Sequence, residues 1–82
     1  MNVLLFARLR DELGQDSIEL DLPEPVQIAD IRAALQQRWP QHQNLLASGR
    51  ALVAVNQTLI NNDQQLVSSR DEVAFFPPMT GG

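Results

Sequence analysis

No cysteine and no lysine occur among the 82 residues of this chain, and histidine occurs once, at position 42. Without cysteine there is no disulfide framework, no thiolate metal site and no cysteine nucleophile. A lone His42 leaves no His-based zinc site and no Ser-His-Asp relay by the usual recipes. Long apolar runs are also missing. The run near the start, Val3 to Ala7, is too short for a signal-peptide core or a membrane span, which makes the cytoplasm the expected compartment. Basic charge is sparse as well: six arginines, scattered singly, against ten acidic residues give a net charge of −4. Such a balance disfavours nucleic-acid and anionic-membrane binding.

What is present fits one small domain. The apolar fraction is 44% and the charged fraction 20%, ordinary for a folded chain. A chain of this size buries roughly 60% of the surface its unfolded form exposes, enough for one modest core.

Val3 to Leu9 is a strand-length apolar run with apolar residues on both alternation phases: Val3, Leu5, Ala7 and Leu9 against Leu4 and Phe6. That pattern predicts a strand with two covered faces. Ile18, Leu20 and Leu22 alternate with Ser17, Glu19 and Asp21, as in a half-buried strand, and the link containing Gly14 suggests a β-hairpin. After Pro23 and Pro25, Ile28, Ile31, Leu35 and Trp39 recur at helical spacing until Pro40 ends the helix. Gln27 is a weak N-cap, so packing is expected to hold this helix; Asp30 and Arg38 suit its dipole.

Ala51 to Val55 reads as a strand, Asn56-Gln57 as a tight turn, and Thr58 to Ile60 as the returning strand. Asn61 to Arg70 reads as a polar loop anchored by Leu66 and Val67, and Glu72 to Phe76 as the last strand, stopped by Pro77-Pro78. The order ββαβββ predicts an α+β domain with one helix packed across a mixed sheet.

Other residues have ordinary readings. His42 falls in a polar loop, and Trp39 belongs to the core. Asp11, Glu12 and Asp16 lack calcium-loop spacing and read as a solvated turn; Glu19, Asp21 and Glu24 read as an outer strand face.

The ending Pro77-Pro78-Met79-Thr80-Gly81-Gly82 carries the most chemistry. Six extended residues span about 20 Å. The prolines stiffen the base, and the glycines leave the tip thin enough to enter a narrow channel on another protein. A terminal carboxylate is a poor electrophile until activated, most simply as an acyl-adenylate made from ATP. No β-carbon at Gly81 or Gly82 would then hinder attack on that carbonyl. A frayed glycine-rich end is the plain alternative, although a chance Gly-Gly ending is roughly a one-in-200 event. The absence of lysine fits a biased genome, and it would also spare a reactive acyl end from the chain's own amines.

The segment Asp71 to Gly82, with its Phe75-Phe76-Pro77-Pro78 and Gly81-Gly82, closely resembles the C-terminus of the molybdopterin synthase sulfur carrier subunits. Val3 to Arg10 is similar to that family's first strand, and Val53 to Gln57 to its third, so the resemblance spans essentially the whole chain. It implies a ubiquitin-like β-grasp domain over 1–76 and a tail over 77–82. It also implies a sulfur carrier that is not an enzyme alone. An adenylating partner related to ubiquitin-activating enzymes would use ATP to activate Gly82, and a sulfur donor would convert it to a thiocarboxylate. The tail, with Gly81 behind the reacting end, would then enter the large synthase subunit, in a complex of two small and two large subunits. There it would give sulfur to cyclic pyranopterin monophosphate. The chain itself would bind no cofactor or metal.

On this reading Val3, Leu5, Val73 and Phe75 face the helix, while Phe6, Ala74 and Phe76 point to the other side of the sheet. With Leu59 they would form an exposed apolar patch, continued by Pro77, Pro78, Met79 and Thr80, for the partner to cover. Phe6, Leu59 and Phe76 match positions of the family's interface. One departure is local: a glycine is common just before the Asp-Glu pair, where Ser69-Arg70 stand here. A carrier for thiamin thiazole, a ubiquitin-like modifier or a pure binding module stays open. The first two kinds usually lack the Phe-Phe-Pro-Pro element, and the third would tolerate loss of Gly82.

Overall fold

A computed structural model describes residues 1–78 of the chain. The elements in order are β1 (Asn2–Leu5), α1 (Ala7–Leu13), β2 (Ser17–Glu19), β3 (Val26–Gln27), α2 (Ile28–Arg38), a 3-10 turn (Pro40–His42), β4 (Leu52–Val55), β5 (Thr58–Ile60), β6 (Leu66–Val67) and β7 (Val73–Phe76). Five strands form one mixed sheet in the order β2-β1-β7-β4-β5, while β3 and β6 pair as a separate two-stranded ladder. The pair β1–β7 is parallel; the other neighbours in the sheet run antiparallel.

Register sorts the strand residues onto two faces. One row across the sheet reads Ile18, Val3, Val73, Val55, and the next Leu5, Phe75, Val53, Ile60. Of these, Val3, Leu5, Val73 and Phe75 are completely buried, as the alternation predicts. Ile28, Ile31 and Leu35 of α2 are buried with them in one core, which Leu9, Leu13, Leu46 and Val67 complete. The helix has no side-chain cap at Gln27. Its first N–H groups donate instead to loop carbonyls, Ile28 N to Gln65 O at 3.1 Å and Ala29 N to Asp63 O at 2.8 Å. Tertiary contacts thus do what a capping side chain does elsewhere.

The five sheet strands follow the expected order ββαβββ about α2, and β1 and β2 pair antiparallel as expected, but the link between them holds a second helix, α1, that the first segment did not suggest. The strand stops at Leu5. Ala7 adopts φ 53°, and the chain turns into α1, whose Leu9 and Leu13 are buried one turn apart. Leu9 fits a strand phase and a helix face equally well, and burial at i, i+4 decides in favour of the helix. Gly14 closes α1 at φ 76°, donating to Arg10 O at 2.9 Å, a conformation that glycine adopts freely. The strand expected through Leu22 ends at Glu19, with Leu20 and Leu22 packed only partly against the core.

Three smaller corrections follow. Leu66-Val67 is a strand in its own right, paired with Val26-Gln27, and not merely a loop anchor. Trp39 is partly exposed at the edge of the core. His42 sits half-buried in the 3-10 turn instead of in an open loop.

Candidate functional site: the outer sheet face and the root of the tail

The face of the sheet away from α2 carries the complementary register. Its central row reads Ser17, Leu4, Ala74, Ala54, Leu59, and Leu52 pairs with Phe76 beside it. Phe6 extends the same region, because its N–H continues the β1–β7 pairing by donating to Phe75 O at 3.1 Å. Phe6 is 45% exposed and Leu59 58%, whereas Phe76, Leu4, Leu52 and Ala54 are half-buried. The sheet therefore brings Phe6, Ala74, Phe76 and Leu59 to one side, with larger apolar residues around a floor of two alanines.

Ala74 departs from its expected exposure: only 5% of it is accessible. A methyl group on a central strand, between Leu4 and Ala54, is overtopped by the larger side chains around it. Leu4, Leu52 and Ala54 belong to the patch and were not anticipated. The signal was available, since apolar residues on the second phase of β1, β4 and β7 mark a central region of that face without water-seeking groups.

The strand that leads to the tail is fixed at its start by an amide bracket. Asn56 and Gln57 form the β4–β5 turn with φ 52° and 69°, the left-handed pair that a two-residue hairpin demands. From there Asn56 Nδ2 donates to Asp71 Oδ1 at 3.0 Å, and its Oδ1 accepts the Glu72 N–H at 2.9 Å. The Asn56 N–H donates to Glu72 O at 2.8 Å. Asp71 Oδ2 accepts the Ser68 N–H at 2.9 Å, and the Asp71 N–H returns to Ser68 O at 3.0 Å. Among the described residues Ser69 and Arg70 have no positive φ, so this carboxylate-closed turn requires no glycine. The Asn56 amide, then the Ser68 N–H, holds the Asp71 carboxyl below its ordinary range. The Ser69 N–H donates to Glu24 Oε1 at 2.7 Å and lowers that carboxyl in the same way.

Arg32 is the residue that sequence reasoning missed. It is 6% exposed, with Nε and Nη2 on the Asp63 carboxylate at 2.9 and 3.2 Å. Nη1 donates to Leu46 O at 3.0 Å, Ala47 O at 3.3 Å and Ala51 O at 2.8 Å. Its guanidinium carbon lies 5.3 Å from the centre of the Phe75 ring. The residue thus ties α2 to the loop before β4 and braces the strand that carries the tail. A charge at position 32 inside the stripe Ile28, Ile31, Leu35 was the visible clue.

Beyond Phe76 the chain leaves the sheet through half-buried Pro77 and Pro78. The expected site residues Met79, Thr80, Gly81 and Gly82 lie outside the described residues. Among the described residues no three of His, Cys, Asp or Glu are grouped to hold a metal ion, and no helix is long and apolar enough to cross a membrane.

A five-stranded mixed sheet with one long helix on its inner face is the ubiquitin-like β-grasp arrangement. A solved structure described as a putative molybdopterin converting factor subunit 1 from Pyrococcus furiosus shares it, with TM-score 0.76, 25% identity and 95% coverage of both chains. The model of the ThiS family matches residues 3–82, and the chain belongs to that family. Within it, the chain is 43% identical over 84 residues to the molybdopterin synthase sulfur carrier subunit of Escherichia coli (strain K12), covering 100% of this chain and 99% of the relative. It is 40% identical over 82 residues to the protein of the same name from Haemophilus influenzae, again covering 100% and 99%.

Proposed function

We propose that this chain carries sulfur for molybdopterin synthesis as the small subunit of a molybdopterin synthase. The observation that supports this most strongly is the union of an apolar outer face with a tail rooted beside it. Phe6, Leu59 and Phe76 give a partner a surface to cover, and the central strand β7 leads from beside that surface into Pro77 and Pro78. Full-length likeness to two sulfur carrier subunits supports the same reading.

In this proposal residues 1–76 form the recognised body and residues 77–82 the working tail. A ubiquitin-activating-like adenylyltransferase in the cytoplasm joins the Gly82 carboxylate to the AMP moiety of ATP, with release of pyrophosphate. A sulfur donor protein then supplies the sulfur that displaces AMP, leaving a thiocarboxylate. The tail enters the large synthase subunit, within a heterotetramer of two small and two large subunits. Cyclic pyranopterin monophosphate takes the sulfur, and the tail returns to a carboxylate for a second round. Gly81 leaves the reacting carbonyl unshielded, and Met79 and Thr80 belong with the surface that the partner covers. The chain holds no cofactor of its own; the remaining acid–base groups belong to its partners. The Phe75-Phe76-Pro77-Pro78 element favours this role over a thiamin-thiazole carrier.

The test is intact mass after incubation with ATP, the sulfur donor and the adenylating enzyme, for the full chain and for one lacking Gly82. The expected result is a gain equal to the exchange of one oxygen for sulfur, absent in the shortened chain. No gain with an adenylating enzyme shown to be active would rule the carrier role out.

A further inference from the structure

The polar depression beside Arg32 exposes no unpartnered group, since every nitrogen of that guanidinium donates to Asp63 or to a carbonyl. Exposed Leu66 stands alone on its short ladder. The root of the tail is different. Pro77 and Pro78 form one wall of a cleft of about 360 Å³ whose other walls are Arg8, Leu45 and Arg50. Two of the six cationic side chains of an acidic molecule thus line one cleft.

Both arginines are available there. Arg8 is 72% exposed and, among the described residues, forms an ion pair only with Glu12, one turn along α1, at 3.8 Å. Arg50 forms no ion pair among the described residues. Its backbone is nonetheless held in place: the Arg50 N–H donates to Ala47 O at 2.9 Å, a carbonyl that also accepts from buried Arg32. Leu45, Pro77 and Pro78 give the cleft apolar walls, and a guanidinium–carboxylate contact sheltered by such walls is stronger than one in open water.

We infer that this cleft receives an acidic side chain of the large subunit that takes up the tail, giving that partner a polar anchor beside its apolar one. The inference rests on the proposed carrier role. Continuity supports it: Arg8 lies two residues beyond Phe6, and Pro77 directly follows Phe76, so a partner seated on the outer face reaches the cleft at the same time. A phosphate of the activating nucleotide is the poorer occupant. Four residues separate Pro78 from the reacting end, and an extended stretch of that length spans about 13 Å. The cleft would act before chemistry, by fixing the angle at which the tail enters.

The experiment is calorimetric titration of the full chain into the large synthase subunit of the same organism, at low and at high salt. Three variants are compared with the unaltered chain: Arg8→Glu with Arg50→Glu, Arg8→Gln with Arg50→Gln, and Phe6→Asp. The charge reversal is expected to raise Kd about 10- to 100-fold and to flatten the salt dependence; the glutamine pair should do so less steeply. Thermal melts of the exposed-site variants should match the unaltered chain. Charge-reversed and unaltered chains with equal Kd at both salts, alongside weakened binding by Phe6→Asp, would overturn the inference and leave the carrier role standing. No binding by the unaltered chain would remove the carrier role, and the inference with it.

Discussion

The two faces of the sheet are built from the same strands, yet they differ in kind. On the inner face, Val3, Leu5, Val73 and Phe75 are wholly buried against α2. On the outer face, their immediate neighbours Leu4, Phe6 and Phe76 remain partly or largely exposed, although they are just as apolar. Burial within the chain explains the first set and not the second. A domain this small has one helix of useful length to lay on its sheet, so the chain itself leaves the other apolar face uncovered, the face that the proposed role assigns to a partner. Inner-face residues should therefore answer to stability, and outer-face residues to association.

The sharpest way to break that contrast is Phe75→Ala against Phe76→Ala. Phe75 is completely buried, and its truncation is expected to cost about 3–5 kcal/mol, most of the stability of such a domain. Phe76→Ala should cost far less in urea unfolding and weaken binding to the large subunit instead. Equal stability losses would show that the two faces are alike.

Arg32→Met comes next, at about 3 kcal/mol, because it strands the Asp63 carboxylate and leaves the carbonyls of Leu46 and Ala51 without their donor. Restoring a cation with Arg32→Lys should recover only part of this in thermal melts, since an ammonium cannot fork onto Asp63 while reaching those carbonyls.

Leu59→Arg is the outer-face counterpart. Its side chain is already 58% exposed, so the melting temperature should move by no more than a degree or two. Binding to the large subunit should fall at least about tenfold, as expected for a charge placed within an apolar interface.

The smallest effect concerns pH. The Asp71 carboxyl titrates below its unfolded value, so its contribution is fully present above the unfolded value, about pH 4, and is lost as pH falls through the folded one. Asp71→Asn should make the fall of stability on acidification shallower, with little change at neutral pH in the slope. Urea titrations between about pH 5 and pH 2 measure it directly.

Much of this architecture could be read from the chain. The stripe Ile28, Ile31, Leu35 marks α2, and Pro40 marks its end. Asn56-Gln57 between two β-rich runs marks the β4–β5 turn. Both signals are local, and local chemistry decides them. The first segment misled because Val3 to Leu9 is apolar on every phase, so periodicity could not separate a strand from a strand followed by a helix. The ladder of β3 and β6 is two residues long on each side, too short to leave a pattern. Arg32 was hidden because its partners Leu46, Ala51 and Asp63 come from distant parts of the chain. On the outer face, Phe6 and Phe76 could be placed from the second apolar phase of their strands, and Leu59 from the family resemblance. The cleft of Arg8 and Arg50 could not, since it depends on how the loop before β4 approaches the tail.

The position of β7 in the sheet also bears on force. It lies between β1 and β4, with a ladder of hydrogen bonds on either side. A pull applied through Pro77 runs along this strand and loads both ladders at once, in shear. An edge strand pulled the same way would load only one such ladder. In the proposed role, a load applied at Pro77 would thus meet both ladders before the body behind it changed shape.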